Sequence, residues 1–477
     1  MSQDRVHDVA IIGFGPVGAT LAHLLARQGL SVLLLDREAA AYHLPRAVHF
    51  DDEVLRVFQG IGLAQAILPD THVSPGMRFV DATGRMMMDW SRPMALTPQG
   101  WNASYRFHQP SLEKVLRDAF AGFPAVTVET STEVTSVAQD AEGVTLATTR
   151  GPRRAGWAVG CDGAKSLLRA TIGGGMEDLG FDERWLVVDV ILKRPRPDLG
   201  DHSIQFCDPK RPATYVRGVG DRRRWEITVL DGEAPGDRVP VEDVWRLLSP
   251  WITEEDAVLE RSAVYTFRSA VARRWRDGRL LIAGDAAHLT PPFMGQGMCA
   301  GIRDAANLGW KLARVHRGEA AESLLDTYQA ERAPHAREYI ATAVRLGGLI
   351  NTRAMAAALG DAPQDEPKKM ASIAPALGGF TAPYGRPVPQ PVLADGQRLD
   401  DRVGPRFAVL LTPGAAATLD AATMDRLAAR GAVLVADAAL SPWLGTLGAE
   451  AALVRPDRQL LATAPSSKGV ADFFNHF

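Results

Sequence analysis

Val9-Ala10-Ile11-Ile12-Gly13-Phe14-Gly15-Pro16-Val17-Gly18 opens the chain's first regular structure, and its reading decides the fold. The four apolar residues predict a short buried strand. The glycines at 13, 15 and 18 follow at once, and Ala19–Gln28 predicts a helix that Gly29 stops. Ser31-Val32-Leu33-Leu34-Leu35 predicts a second buried strand, ending at Asp36. Strand, GxGxxG turn, helix, strand and acid in this order make a dinucleotide-binding unit. Gly13 permits the tight turn, Gly15 lets backbone approach a pyrophosphate, and Gly18 lets helix and strand pack. The helix N-terminus offers unpaired N–H groups to phosphate. Asp36 is placed to accept from a ribose hydroxyl. The motif alone does not choose between FAD and NAD.

Two later segments bear on that choice. Ala158-Val159-Gly160-Cys161-Asp162-Gly163 puts an acid and a glycine after a short strand, with Arg169 on a following helix. Leu280-Leu281-Ile282-Ala283 predicts a strand whose exit turn is Gly284-Asp285. Pro291 and Pro292 forbid an early helix, so the next helix is expected to start near Gly295 and to carry Asp304, Asn307 and Lys311. Read as structure alone, Asp285 caps a turn, Asp162-Gly163 is a turn dipeptide and Arg46 is a surface ion-pair residue.

Taken together, the three motifs resemble those of the para-hydroxybenzoate hydroxylase-like flavoprotein monooxygenases (class A), across roughly the first 340 residues. The 3-(3-hydroxyphenyl)propionate hydroxylase branch is especially similar. The matching stretches are Leu44-Pro45-Arg46-Ala47 through Asp51-Asp52-Glu53, Val187-Val188-Asp189, Cys207-Asp208-Pro209, Gly301-Ile302-Arg303-Asp304 and Arg455-Pro456-Asp457-Arg458. The resemblance implies that Gly13, Gly15, Pro16, Val17 and Gly18, with Asp36 and Arg37, hold the ADP half of FAD. It implies that Asp285 binds the ribityl or pyrophosphate side. Pro292, Gly295, Gly297 and Met298 would then lie under the flavin pyrimidine ring, where a helix N-terminus suits reduced flavin. Arg46 and Gln109 match FAD-contacting positions, and Asp162 belongs to a motif tied to FAD and to NAD(P)H docking. The activity implied is hydroxylation of a phenolic ring with NAD(P)H and O2 through a C4a-hydroperoxyflavin.

His49 follows the Pro45-Arg46-Ala47 segment, and its ordinary pKa suits proton transfer near neutrality, so it is the candidate catalytic residue. Its alternative is a packed histidine. Arg211, Tyr215 and Arg217 are candidate substrate-binding residues, because a guanidinium there could hold a carboxylate; they could equally be surface residues. No metal is expected: His43, His49, Asp51 and Asp52 fit no common ligand spacing.

The expected fold class is α/β. A Rossmann-like FAD-binding domain is assembled from separated segments, 1–175 and 276–350. Residues 176–275 form a mostly antiparallel substrate sheet, to which 77–104 could add. Residues 351–400 read as a linker or arm, and 401–477 as a small thioredoxin-like domain. That domain contains none of the three cysteines, which excludes thiol redox chemistry there. The cysteines lie far apart, so a disulfide framework is not expected. Net charge is -3, which argues against nucleic acid as a partner. No apolar run reaches transmembrane length and no secretory leader is evident, so a cytoplasmic enzyme is expected. A small aromatic substrate, O2 and NAD(P)H are the expected partners, with a homodimer left open. A flavin-dependent halogenase lacks support, since no Trp-x-Trp-x-Ile element is present, and a Baeyer–Villiger enzyme would need a second GxGxxG unit. A flavin reductase or oxidase without oxygen insertion and a non-catalytic flavin-binding module share the same motifs.

Overall fold

A computed structural model describes residues 6–230, 232–233, 238–350, 368–369 and 373–476. Its strands fall into four sheets. The first contains Val6–Ile12, which lies between Val32–Leu35 and Arg153–Gly160 and runs parallel to both. Leu280–Ile282 extends it in parallel beyond Arg153–Gly160, and Val126–Glu129 beyond Val32–Leu35. Strands from three distant stretches of chain thus lie side by side, and their fully apolar runs are buried, as a sheet covered on both faces requires. The helix Pro16–Arg27 starts with proline at its first position and is followed by Gly29 at φ +84°. It packs against a long buried helix, Gly297–His316, from the other end of the family of motifs. That helix begins two residues after the expected Gly295. The left-handed φ of Gly295 and the short turn Pro292–Met294 delay it.

The second sheet has nine strands and is mainly antiparallel. Its centre is a pair of long strands, Met176–Leu192 and Ala257–Ala272, far longer than the apolar runs Leu186–Leu192 and Ala263–Phe267 suggest. Their first and last residues reach the cofactor sheet's flank, where apolar alternation is interrupted by charge. Gly76–Asp81 joins in parallel beside Ser203–Cys207, so part of the 77–104 stretch does belong here. The sheet buries both faces. One carries Phe79, Trp185 and Cys207, packed with Phe293, Met294 and Tyr339. The other carries Leu186, Val188, Tyr215 and Trp225 under the helix Val241–Leu248. A three-stranded sheet of His49–Asp51, Ser104–Phe107 and Thr71–Val73 sits between the two larger ones.

The C-terminal sheet has the order Val433–Ala436, Ala408–Leu411, Ala451–Val454, Leu460–Ala464. Its first pair is parallel and the others antiparallel, which is compatible with a thioredoxin-like unit. Of the expected 351–400 arm, residues 351–367 and 370–372 lie outside the described residues. Val388, Leu393 and Leu399 pack into the C-terminal core. A cavity lined by Leu24, Arg56, Trp310, Leu377, Pro405 and Gln459 separates this unit from the cofactor domain; it contains none of the glycine-loop residues.

Candidate active site

Steric demands fix the glycine loop. Gly13 has φ +106°, and a Cβ there would lie 2.3 Å from the Cys161 carbonyl oxygen. A Cβ on Gly18 would lie 2.0 Å from the Gly13 oxygen. Gly15 differs: a Cβ there meets no protein atom within 4 Å. Two glycines are therefore required by protein packing, and the third borders open space at a helix N-terminus, the setting a pyrophosphate needs. Asp36 accepts from the Phe14 N–H at 2.7 Å and the Glu38 N–H at 2.8 Å. Its first task is to hold the loop, and its remaining lone pairs can take a ribose hydroxyl. Arg117, which the motifs do not reveal, donates to the Phe14 carbonyl at 2.7 Å and lies over the Phe14 ring. Arg37 is exposed and paired with Glu38. Val17 packs under the Gly284-Asp285 turn: Cβ atoms built on Gly284 and Gly301 would lie 3.1 and 2.6 Å from its Cγ2.

The two later motifs meet across one arginine. Ser166 caps the helix Leu167–Ile172, and Asp162 Oδ2 accepts from the Leu167 N–H at 2.7 Å and the Leu168 N–H at 3.3 Å, while the other Asp162 oxygen is buried without a partner among the described residues. Arg169 donates to Ala164 and, at 2.9 Å, to the Ala286 carbonyl, so the Asp162 and Asp285 turns are tied together. The Asp285 side chain faces open space, although dense protein surrounds the cleft. That enclosure raises its carboxyl pKa, with His288 and Arg46 opposing. Among the described residues its carboxylate makes no hydrogen bond or ion pair. Behind it, Asp304 is a fully buried hub. It accepts from the Gly284 N–H at 3.1 Å and Arg332 at 2.8 Å, and its Oδ2 lies 2.6 Å from His288 Nε2. Burial alone would raise its carboxyl pKa, but His288 and Arg332 overcome that and hold it low. His288 is therefore a structural partner. Asp304 was visible in the Gly301-Ile302-Arg303-Asp304 match, but nothing local in sequence pairs it with Gly284.

On the opposite side of the cleft, the helix Gly297–His316 begins with no side-chain cap and no acid in its first turn. Its N–H groups at Gly297 and Met298 remain available to an electron-rich ring edge. Gln109 accepts from the Arg46 and Ala47 N–H groups at 3.0 and 2.7 Å, and donates to Glu113. It shapes the Arg46 loop. Arg224 of the substrate sheet grips the same loop at the Pro45 and Arg46 carbonyls, held in turn by Asp189 at 2.7 Å. The Val187-Val188-Asp189 match thus has a mechanical meaning. The exposed Arg46 guanidinium stacks on Tyr42.

His49 is buried beside this loop. Its Nδ1 is 3.3 Å from the Gly295 carbonyl oxygen and its Nε2 is 3.0 Å from Ser104 Oγ. Burial, reinforced by Arg106, pushes its pKa down to about 3. Both ring nitrogens have partners in the protein, an arrangement that suits a packing and positioning role.

The substrate-binding expectation is corrected by strand parity. Tyr215 lies in the outer core with Trp225, and Arg217 shares its parity, while Arg211 lies just before the strand Ala213–Arg217. Arg211 is committed to Glu233 at 2.6 Å and Arg217 to Asp201 at 2.8 Å. The face toward Phe293 and Met294 instead carries Gln205, Thr214 and Glu226, which are cross-strand partners in one row.

Orphan acceptors, an open glycine and an uncapped helix converge on one cleft, which fits an FAD. Comparisons with known proteins agree. The family model described as "FAD binding domain" matches residues 6–343. A probable NADH-specific resorcinol 4-hydroxylase of Rhodococcus jostii is 42% identical over 80% of this chain and 74% of its own. A 3-(3-hydroxy-phenyl)propionate/3-hydroxycinnamic acid hydroxylase of Mycobacterium sp. strain JLS is 35% identical over 93% of this chain and 83% of its own. The flavin-dependent monooxygenase PieE, solved with FAD and substrate, superposes with a TM-score of 0.83 at 22% identity, covering 99% and 98% of the two chains, a likeness of fold. Among the described residues, no helix is long and apolar enough to cross a membrane. The chain is a member of the FAD-binding family of flavoprotein aromatic hydroxylases.

Proposed function

We propose that this protein hydroxylates a phenolic ring, ortho or para to its hydroxyl, using FAD, NAD(P)H and O2. The observation that carries this is the closure of the cleft. The inner face of the nine-stranded sheet packs directly on Phe293 and Met294, beside the uncapped helix start, so apolar side chains of the sheet cover the side of the cleft where a ring would lie. The relatives named for resorcinol and for 3-(3-hydroxyphenyl)propionate point to a small phenol.

Bound FAD would supply the chemistry that passes two electrons from NAD(P)H to dioxygen. The chain's own residues do the rest. Gly13, Gly15, Pro16, Val17 and Gly18 with Asp36 and Arg117 hold the adenosine and pyrophosphate end. Asp162 and Asp285 accept hydrogen bonds from the cofactor's sugar and ribityl hydroxyls. Gly295, Gly297 and Met298 present backbone to the pyrimidine edge, where the helix N-terminus favours negative charge. Arg46, on a loop set by Gln109 and Arg224, closes the side of the cleft. Phe79, Trp185, Phe293 and Met294 exclude water, which would otherwise waste reduced oxygen.

The test is turnover with 18O2. One labelled atom should enter the product of a phenol such as resorcinol, and the methyl ether of that phenol should not turn over. NAD(P)H consumption that leaves every tested phenol unlabelled would favour a reductase or oxidase. With the reading go a cytoplasmic location and a homodimeric assembly, which cell fractionation and light scattering check.

A further inference from the structure

Most buried arginines in this protein have carboxylate partners; Arg223, which donates to the Gly220 and Arg222 carbonyls, is an exception. Arg56 sits on Asp400, Arg224 and Arg261 on Asp189, Arg303 on Asp51 and Glu53, and Arg332 on Asp304, all within 4 Å. Arg106 lies just as deep, 6% exposed, yet among the described residues it has no ion pair, and its Nη2 donates to the neutral Ser203 Oγ at 2.6 Å. Its Nε has no partner. A buried charge without a counter-charge is costly, so it persists where function needs it.

Its position is informative. Arg106 is directly opposite His49 in the antiparallel pair His49–Asp51 and Ser104–Phe107, so both side chains share one face. That face looks toward Gly295, which His49 touches. Ser203 belongs to the inner row of the substrate sheet, next to Gln205, which pairs in register with Phe79. The guanidinium therefore bridges the two walls at the covered side of the cleft. Glu226 is the nearest acid to influence it, but its carboxyl is itself pushed up by burial, and its ion contact is with Arg224 at 3.8 Å. Burial outweighs Glu226 and brings the Arg106 pKa down to about 10, still a cation at neutral pH.

We propose that Arg106 is the counter-ion for an oxyanion on the aromatic substrate, carboxylate or phenolate, held between the His49 strand and the inner face of the substrate sheet. This rests on the reading of the site as a phenol hydroxylase. If the oxyanion is the phenolate, Arg106 also favours its activation: a cation beside the ring oxygen lowers the phenol's pKa, so the phenol gives its proton to solvent as it enters the site and is held as the electron-rich phenolate.

The experiment titrates holoenzyme with three probes, read by flavin absorbance: 3-(3-hydroxyphenyl)propionate, resorcinol and 3-phenylpropionate. Arg106→Gln should weaken the probe whose oxyanion it holds by roughly tenfold or more, as loss of one member of a buried charge pair does. Loss confined to the two carboxylates identifies a carboxylate anchor. Loss with resorcinol, together with a higher pKa of the bound phenol, identifies a phenolate partner. Arg106→Lys should recover part of the loss in either case. Ligand-free holoenzyme should melt at the same temperature or higher in Arg106→Gln, because an uncompensated buried cation is gone. Unchanged affinity for all three probes, or a lower melting temperature as the sole effect, overturns the proposal. If wild-type holoenzyme neither binds nor oxidises any phenol, the functional reading fails first and takes this proposal with it.

Discussion

The imidazole of His49 and the backbone of Gly295 occupy each other's space: a Cβ on Gly295 would lie 2.8 Å from His49 Cβ, while His49 Nδ1 reaches the Gly295 carbonyl oxygen at 3.3 Å. Gly295 also has φ +63°. Gly295→Ala should therefore cost about 1–3 kcal/mol of stability and weaken FAD. His49→Ala in the same chain should recover the steric part and leave the backbone part. Thermal melts of the two variants measure this, and equal losses in both would refute the contact.

Gly13 and Gly15 should behave differently. Gly13→Ala drives a Cβ into the Cys161 carbonyl and should destabilise the apoprotein. Gly15→Ala enters open space, so the apoprotein should melt unchanged while FAD binds at least several-fold more weakly. Apoprotein melting and FAD titration separate the two effects. A destabilised Gly15→Ala apoprotein would mean that the space belongs to the protein and not to the cofactor.

Asp285→Ala should weaken FAD more than Asp162→Ala. The Asp285 carboxylate makes no bond within the described protein, whereas one oxygen of Asp162 already accepts from the Leu167 N–H. Asp162→Ala should instead show the larger loss of stability, about 0.5–1.5 kcal/mol for the lost acceptor of the Leu167 and Leu168 N–H groups. FAD dissociation constants in the reverse order would contradict the assignment.

The buried, neutral His49 makes stability depend on acid. Its folded pKa is depressed from 6.5 to about 3. The unfolded chain therefore binds more protons between those values, and stability, complete above pH 6.5, falls as pH drops through that window. His49→Gln should lose less stability than wild type between pH 7 and 5, by up to about 2 kcal/mol. Parallel urea denaturation at the two pH values reads the difference. Identical slopes would show that the ring is not held neutral.

Arg211→Ala and Arg217→Ala should leave the KM for a phenolic substrate within about twofold, since their ion pairs lie on the outer face. Each costs at most about 1 kcal/mol, the usual value of an exposed pair. A large rise in KM in either variant would require the sheet to present its other face to the substrate.

Sequence alone determined the cofactor class and the segmented α/β architecture. Gly13, Gly15, Gly18, Asp162 and Asp285 stand in short motifs next to predicted strands, where sequence spacing alone makes them visible. Tertiary structure decided the rest. A strand's side chains alternate between faces, so a shift of one residue separates Tyr215, packed outside, from Thr214, on the substrate side. No local signal fixes which face meets the flavin loop. Pairings such as Asp304 with Gly284 and Arg224 with the Arg46 loop join residues 20 to 179 positions apart. Charge and burial at those points exist only once the sheets have packed. That is also why His49, whose type suggested a proton carrier, is held neutral.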